Sequence, residues 1–355
     1  MKPFKDLDEQ INILKSRGLN FSDVDKAKKY LLTNNYYNVI NGYSKFFTTR
    51  RNHSIYISTT DFDEIVAVHL FDKELKNVVL KAFIEAEKHF KSVVAYRFSE
   101  KYKSPYSYLN TNCYKRTSNF KEMAKISKLI GILSNIVNSN VNKKDMNSIK
   151  HHYKNHGEIP FWVLCNDMTF GQIITFYTYL DSSLQDDIAR DMSTFLQSNI
   201  QNITSKTTNQ VISASTLLKV LNNTNEFRNI AAHNNLIFKH RCWKSLSSQR
   251  WLPADHVSCN RQGLYYVFCY LQCLLSSSQY AILHNSIRKR VTTLKKNLHS
   301  IPISKVLQTL DFPTDWDNTS IIPLPNTPQA IKKRSIDSVK NINRPLSERL
   351  RFKSK

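Results

Sequence analysis

Residues 62–94, FDEIVAVHLFDKELKNVVLKAFIEAEKHFKSVV, decide the fold class of this chain. Apolar residues recur every three or four positions, from Ile65 and Val66 to Val93 and Val94, with Lys and Glu between them. This spacing puts a broad apolar stripe along one side of a helix of about nine turns. The stretch therefore predicts a long amphipathic helix that begins at Phe62.

The rest of the chain also contains few residues that interrupt helices. Its 355 residues include 6 Gly and 10 Pro, and most of the prolines lie beyond residue 300. This scarcity predicts an all-α body and argues against Gly-rich nucleotide folds and many-turned β sandwiches. Further helical patterns cover residues 5–17, 22–37, 120–137, 161–179, 183–200, 213–233 and 262–298, and one short strand is expected within 48–60.

Changes in composition divide the chain into three predicted parts. Residues 1–60 form an N-terminal helical unit, and residues 61–300 form the main helical domain with inserted helices. Residues 301–355 are a basic tail punctuated by proline, which we expect to be extended or partly disordered. A chain of this length buries a sizeable core without disulfides or metal, so we expect no cofactor.

The charge of the chain points to its partners. Lys and Arg number 51 and Asp and Glu 28, a net charge of +23 that favours a polyanion such as nucleic acid or an anionic membrane surface. The six cysteines form no CxxC pair, and the acidic N-terminus is unlike an export signal, so we expect a cytoplasmic protein. The most apolar stretch, 264–275, is shorter than the roughly twenty residues of a membrane span and is expected to be a buried helix.

The sharpest local motif is Arg228-Asn229-Ile230-Ala231-Ala232-His233, at the end of a helical pattern. An Arg followed at this spacing by a His is common by chance, so the motif alone decides little. On a helix, Asn229 and His233 share a face, whereas Arg228 lies about 140° around from His233. One such helix therefore supplies only half of a site.

This motif resembles the ribonuclease motif of the HEPN superfamily (higher eukaryotes and prokaryotes nucleotide-binding), all-α domains that commonly act as dimers with two facing motifs. Other blocks, in order, resemble bacterial abortive-infection proteins of the AbiD/AbiF type. They are KPFKDLDEQINILKSRGL at 2–19, Tyr30-Leu31, Asn35 to Tyr43, Phe71 to Leu75, Ile84-Glu85, Val94-Ala95-Tyr96, Pro160-Phe161-Trp162, Thr169-Phe170-Gly171, and Phe227 to Asn234. The blocks span most of residues 1–240 and leave the tail beyond about 300 uncovered.

The resemblance implies a HEPN-like helical bundle that acts as a metal-independent endoribonuclease in anti-phage defence. RNA carries its own nucleophile, the 2′-hydroxyl, so an acid/base and a cation around the phosphate are enough for cleavage to a 2′,3′-cyclic phosphate end. His233 suits the acid/base role and Arg228 suits the phosphate, while Asn229 would orient the backbone or His233. Because one chain contributes one motif, we expect a homodimer, and a bound structured RNA as a toxin–antitoxin-like restraint.

Additional RNA contacts are expected from two basic clusters that follow the motif. The clusters are Lys239, His240 and Arg241, and, in the tail, Lys332, Lys333 and Arg334.

Three alternatives remain open on the sequence alone. Arg228 and His233 could be a plain helix end, in which Arg228 caps carbonyl groups. The chain could be a non-catalytic RNA-binding protein on a HEPN-like scaffold, or a toxin that acts at a membrane surface. A metal at His152 and His156, which have helical i,i+4 spacing, is disfavoured because the pair lacks the Glu of HExxH.

Overall fold

The long helix predicted from residues 62–94 is the central element of the protein. The structure, a computed structural model, describes residues 3–49, 51–253 and 259–325. This helix, α3, runs from Phe62 to Lys101, and a capping box fixes its start: Asp61 accepts from the first turn while Glu64 returns to the Asp61 backbone. Buried residues recur along its whole length, and α3 packs against the helices that begin at Phe161, Ser182, Ala214 and Ser277.

The other α-helices surround α3 and confirm the predicted all-α bundle. In chain order they are α1 Leu7–Ser16, α2 Val24–Asn34, α4 Phe120–Val141, α5 Ser148–His156, α6 Phe161–Leu164, α7 Phe170–Tyr179, α8 Ser182–Thr204, α9 Ala214–Ala232, α10 Leu264–Tyr270, α11 Ser277–Lys296 and α12 Ile303–Leu307. Short 3-10 turns and one π-helical segment, Tyr37–Asn41, join them.

Two local predictions were wrong. The strand expected within 48–60 is only an isolated antiparallel bridge between Thr48 and Tyr56, and no strand occurs in the described residues. Residues 148–156, which lie outside the helical patterns predicted from the sequence, form α5. The Asn147 side chain caps the N-terminus of α5, and Gly157 takes the left-handed conformation at its C-terminus.

The apolar stretch 264–275 is part of the core. It forms α10 and a 3-10 turn, and each of its residues is buried, with Tyr265 and Phe268 stacked on each other. Within the part of the chain that the structure describes, no helix combines the length and apolar character needed to cross a bilayer.

Residues 301–325, the described part of the predicted tail, include several buried side chains. Residues 301–325 include α12, and Phe312 and Trp316 pack against each other and against Phe268 with ring centroids 4.9 to 5.9 Å apart. Proline, which suggested an extended tail, here starts α12 at Pro302, where its missing N–H costs no hydrogen bond. Lys332, Lys333 and Arg334 lie outside the described residues.

Candidate functional site

The Arg228 to His233 motif forms the last turn of α9. His233 is the residue on which the helix ends, and the next residue, Asn234, adopts a left-handed conformation with φ of 54°. The Asn235 amide donates to the Ile230 carbonyl at 3.0 Å and the Asn234 amide to Ala231 at 3.4 Å, the pattern of a Schellman motif. Asn tolerates left-handed backbone better than most residues, so the sequence ends α9 directly after His233.

A buried charged network ties this helix end to α3. The Lys76 ammonium contacts the Asp72 carboxylate at 2.7 Å and donates to Asn234 Oδ1 at 2.6 Å, while the Tyr43 hydroxyl donates to Asp72 at 2.8 Å. Asp72 is fully buried and Lys76 nearly so. Burial, together with the Asp72 charge, raises the pKa of Tyr43 far above its usual value, so this phenol stays a donor. The network fixes where α9 stops and hence where His233 is presented.

Arg228 lies on the wall of an open groove of about 1160 Å³ between α3, α6 and α9. Its Nη2 lies 3.8 Å from Glu87 Oε2, its Nη1 donates to Asn229 Oδ1 at 3.3 Å, and its buried Nε has no partner among the described residues. The Lys91 ammonium holds the other oxygen of Glu87 at 2.9 Å. Arg228 thus makes no hydrogen bond to the carbonyl groups at the end of α9 in the described structure.

Two exposed aromatic rings line the same groove. Tyr96 of α3 is 63% exposed and Trp162 of α6 is 56% exposed, which is unusual for residues of this size. Lys88 and Lys91 of α3 also line the groove, where they pair with Glu85 and Glu87, and Glu100 adds a further carboxylate to the lining. Cations beside open aromatic faces are the arrangement on which single-stranded nucleic acid binds.

Asn229 and His233 are both exposed, but the structure gives them different surroundings. The Asn229 side chain accepts from Arg228 at 3.3 Å, and its backbone carbonyl accepts from the His233 amide at 3.0 Å, whereas no hydrogen bond joins the Asn229 and His233 side chains in the described structure. The His233 side chain makes no hydrogen bond to any described residue. No hydrogen bond joins the Arg228 and His233 side chains in the described structure, in line with their angular separation on the helix.

The basic cluster after the motif is largely engaged within the chain. His240 Nε2 lies 2.7 Å from Glu226 Oε1, and Arg241 Nη2 lies 2.6 Å from Asp311 Oδ1. Lys239 is exposed and borders a second groove with Lys45 and Arg241. Of the three residues expected to contact RNA, only Lys239 has a side chain without such an ion pair in the described structure.

Two clusters of ligand-type side chains are present. His151, His152 and His156 project from α5, with the rings of His152 and His156 5.2 Å apart. The second cluster is Glu226, His240 and Cys242, whose ligand atoms all lie within 4.8 Å of one another. Burial, aided by Glu226, raises the pKa of the Cys242 thiol far above its usual value.

The sequence singles out Arg228, Asn229 and His233 but gives no indication of the groove that Arg228 lines. Tyr96 and Trp162 belong to the blocks that carry the family resemblance, although those blocks give them no role. Nothing in the sequence around Glu87 and Lys91 indicates a groove, because an i,i+4 Glu–Lys pair is typical of any solvated helix face.

Comparison with known proteins places this architecture in a family. Residues 29–239, more than half of the chain, match the family described as Abi-like protein. No curated protein and no solved structure matches the chain.

Proposed function

The chain belongs to the Abi-like protein family and its role is in abortive-infection defence against phage; within that role we propose that it is a HEPN-type endoribonuclease of the AbiD/AbiF kind, acting on RNA in the cytoplasm. The observation that carries the proposal is the placement of Arg228 on a groove of cations and exposed aromatic rings, at the helix end that presents His233 to solvent.

The chemistry follows from the residue types. His233 takes the proton of a ribose 2′-hydroxyl, the oxygen attacks the adjacent phosphorus, and the 5′-oxygen leaves with a proton from an acid in the site. Arg228 compensates the charge that builds on the phosphate oxygens, for which a planar guanidinium is suited. The products are a 2′,3′-cyclic phosphate and a 5′-hydroxyl. Neither role requires a metal ion.

The Arg228 guanidinium has N–H donors that can bind a phosphate. Its contact with Glu87 is long, at 3.8 Å, and its side chain keeps a third of its surface exposed. Lys91 balances Glu87 at 2.9 Å, so Arg228 is not the only cation that neutralises this carboxylate. A phosphate that enters the groove therefore competes with a weak contact rather than with a closed ion pair.

Each chain provides one motif, so the active form is a homodimer in which two α9 ends face each other. The net charge of +23 further supports a structured RNA that binds the protein and restrains it in healthy cells. An RNA-free preparation with unchanged activity and no tight RNA binding would contradict this restraint and leave the nuclease proposal standing.

The test replaces Arg228 and His233 separately by Ala and measures RNA cleavage. Both variants should lose at least about 100-fold in rate, as expected for loss of an acid/base or of charge stabilisation. The H233A variant should keep RNA affinity, since His233 transfers a proton during cleavage and does not hold the RNA in place. The cleaved ends should carry 2′,3′-cyclic phosphate.

Matched controls replace an exposed Arg and a part-exposed His elsewhere. Arg190→Ala on α8 and His152→Ala on α5 should cleave like the wild type. RNA binding without any cleavage by the wild type would favour the non-catalytic RNA-binding function. Full cleavage by H233A would remove the proposed site.

A further inference from the structure

Glu226, His240 and Cys242 come together from two segments that flank the Arg228 to His233 motif. Glu226 lies on α9 two residues before Arg228, and His240 and Cys242 lie in the segment after the helix. Their carboxylate, imidazole and thiol atoms lie within 4.8 Å of one another. His240-x-Cys242 is a short spacing that allows two ligands to reach one ion.

The three side chains converge on one point and are held there. His240 Nε2 is 2.7 Å from Glu226 Oε1, the Trp243 amide donates to Glu226 Oε2 at 3.3 Å, and the edge of Phe227 packs on the His240 ring at 5.2 Å. Cys242 is 1% exposed, whereas the side chains of Glu226 and His240 keep 35% and 28% of their surface. The cluster is thus closed on the Cys242 side and open to solvent on the other.

The donor set selects among metal ions. A thiolate excludes Mg²⁺ and Ca²⁺, which prefer oxygen, and a mixed set of sulfur, nitrogen and oxygen suits Zn²⁺. One thiolate and one carboxylate also balance the charge of a divalent ion, which matters in a chain as basic as this one. Three protein ligands leave the fourth tetrahedral position for a solvent molecule on the open side.

We propose that Glu226, His240 and Cys242 bind one Zn²⁺ per chain. Binding forms a Zn–S bond as the thiol proton leaves to solvent, and no oxidation state changes. His240 coordinates through Nε2 and carries its ring proton on Nδ1, so the ion replaces the present hydrogen bond to Glu226. The site ties the segment after the motif to α9 just before Arg228, and it is separate from the cleavage chemistry.

The experiment titrates the metal-free, tag-free full-length chain with Co²⁺, whose visible spectrum reports tetrahedral geometry and whose near-ultraviolet band reports thiolate ligation. One Co²⁺ per chain should bind with a thiolate band, and Zn²⁺ should displace it. C242S and H240Q each remove one ligand. Each should weaken Co²⁺ binding by more than the roughly 10–100-fold that is lost when only a hydrogen-bond partner of a ligand is removed. H240Q guards against a folding defect in C242S, because His240 is part-exposed, and circular dichroism checks both.

Two controls separate this cluster from other cysteines and histidines. C113S removes a different buried thiol, and H152Q removes one member of the α5 histidine pair. Both should retain the thiolate band and the wild-type affinity. Absence of the band in the wild type, or a band that survives in C242S, would overturn the proposal. A band that is lost in C113S would overturn it as well.

Discussion

Asp311 is a carboxylate whose surroundings oppose its charge. Burial raises its pKa to about 6, although Arg241 lies 2.6 Å from Oδ1 and works in the other direction. The second oxygen, Oδ2, has no hydrogen-bond partner among the described residues. It packs against Gly263 so closely that a Cβ atom on that glycine would lie only 1.9 Å from it. This packing leaves no room for water beside the charge, which explains why desolvation outweighs the ion pair.

The shifted pKa predicts a pH dependence of stability. The folded chain holds the Asp311 proton below about pH 6, whereas the unfolded chain holds it only below its usual 3.8. Between these values the folded state binds more protons, so the free energy of unfolding rises as the pH falls from about 7 to about 5, by about 1 kcal/mol. This contribution is lost as the pH rises through the folded pKa.

Urea unfolding of the wild type and of D311N at about pH 7 and about pH 5 measures this contribution to the free energy of unfolding. The gain in stability on acidification should be about 1 kcal/mol smaller in D311N, because Asn has no proton to bind. An equal gain in stability in both proteins would show that Asp311 is ionised throughout this pH range. The ion pair with Arg241 would then outweigh the effect of burial on the Asp311 pKa.

At the scale of elements, the junction of α3 with the end of α9 is the feature on which the site depends. Lys76→Met leaves the Asp72 carboxylate buried without its cation and should cost about 3–5 kcal/mol of stability. The double variant D72N/K76M should lose less than K76M alone, since no unpaired charge remains. Thermal and urea unfolding check both; a K76M cost under about 1 kcal/mol would mean that the pair is not buried as described.

Asn234→Gly tests the same junction without disturbing the core. Gly keeps the left-handed backbone at this position, but it removes the 2.6 Å contact with Lys76. We expect a small change in stability and a clear loss of RNA cleavage, because the helix end that presents His233 loses its anchor. Cleavage at the wild-type rate would show that the Schellman motif alone positions His233.

The elements differ in how far sequence could predict them. The apolar period of α3 is a local signal, and so is the helix end after His233, so both were predicted. The short α5 has one buried apolar residue, Ile149, and too few turns for a period to show. The groove beside Arg228 is formed by α3, α6 and α9, which come together only in the folded chain. No local sequence pattern therefore predicts it. Packing of Phe312 and Trp316 onto Phe268 is non-local for the same reason.

For the whole molecule, the distribution of charge predicts how the proposed RNA binding depends on salt. Residues 326–355 contain nine basic and two acidic residues, which give +7 of the chain's +23. Replacing Lys332, Lys333 and Arg334 by Gln should weaken RNA binding at low salt and reduce the slope of log affinity against log salt by about 2. The same change at Lys121, Lys125 and Lys128, exposed on α4, is the control and should have a smaller effect. Equal effects would mean that total charge, and not the basic cluster, drives binding.

In the homodimer proposed above, the arrangement of the two chains decides where the active site lies. Arg228 faces the groove beside Glu87 while His233 is exposed at the helix end, and no hydrogen bond joins their side chains in the described structure. If each site pairs Arg228 of one chain with His233 of its partner, an R228A chain and an H233A chain restore one intact site when they form a mixed dimer. After unfolding and refolding together at equal amounts, half of the dimers are mixed, so activity should return to about a quarter of the wild type. Each variant refolded alone should stay inactive. If the mixture also stays inactive while light scattering shows dimers, both residues act within the same chain, and a phosphate must then draw Arg228 out of the groove toward His233.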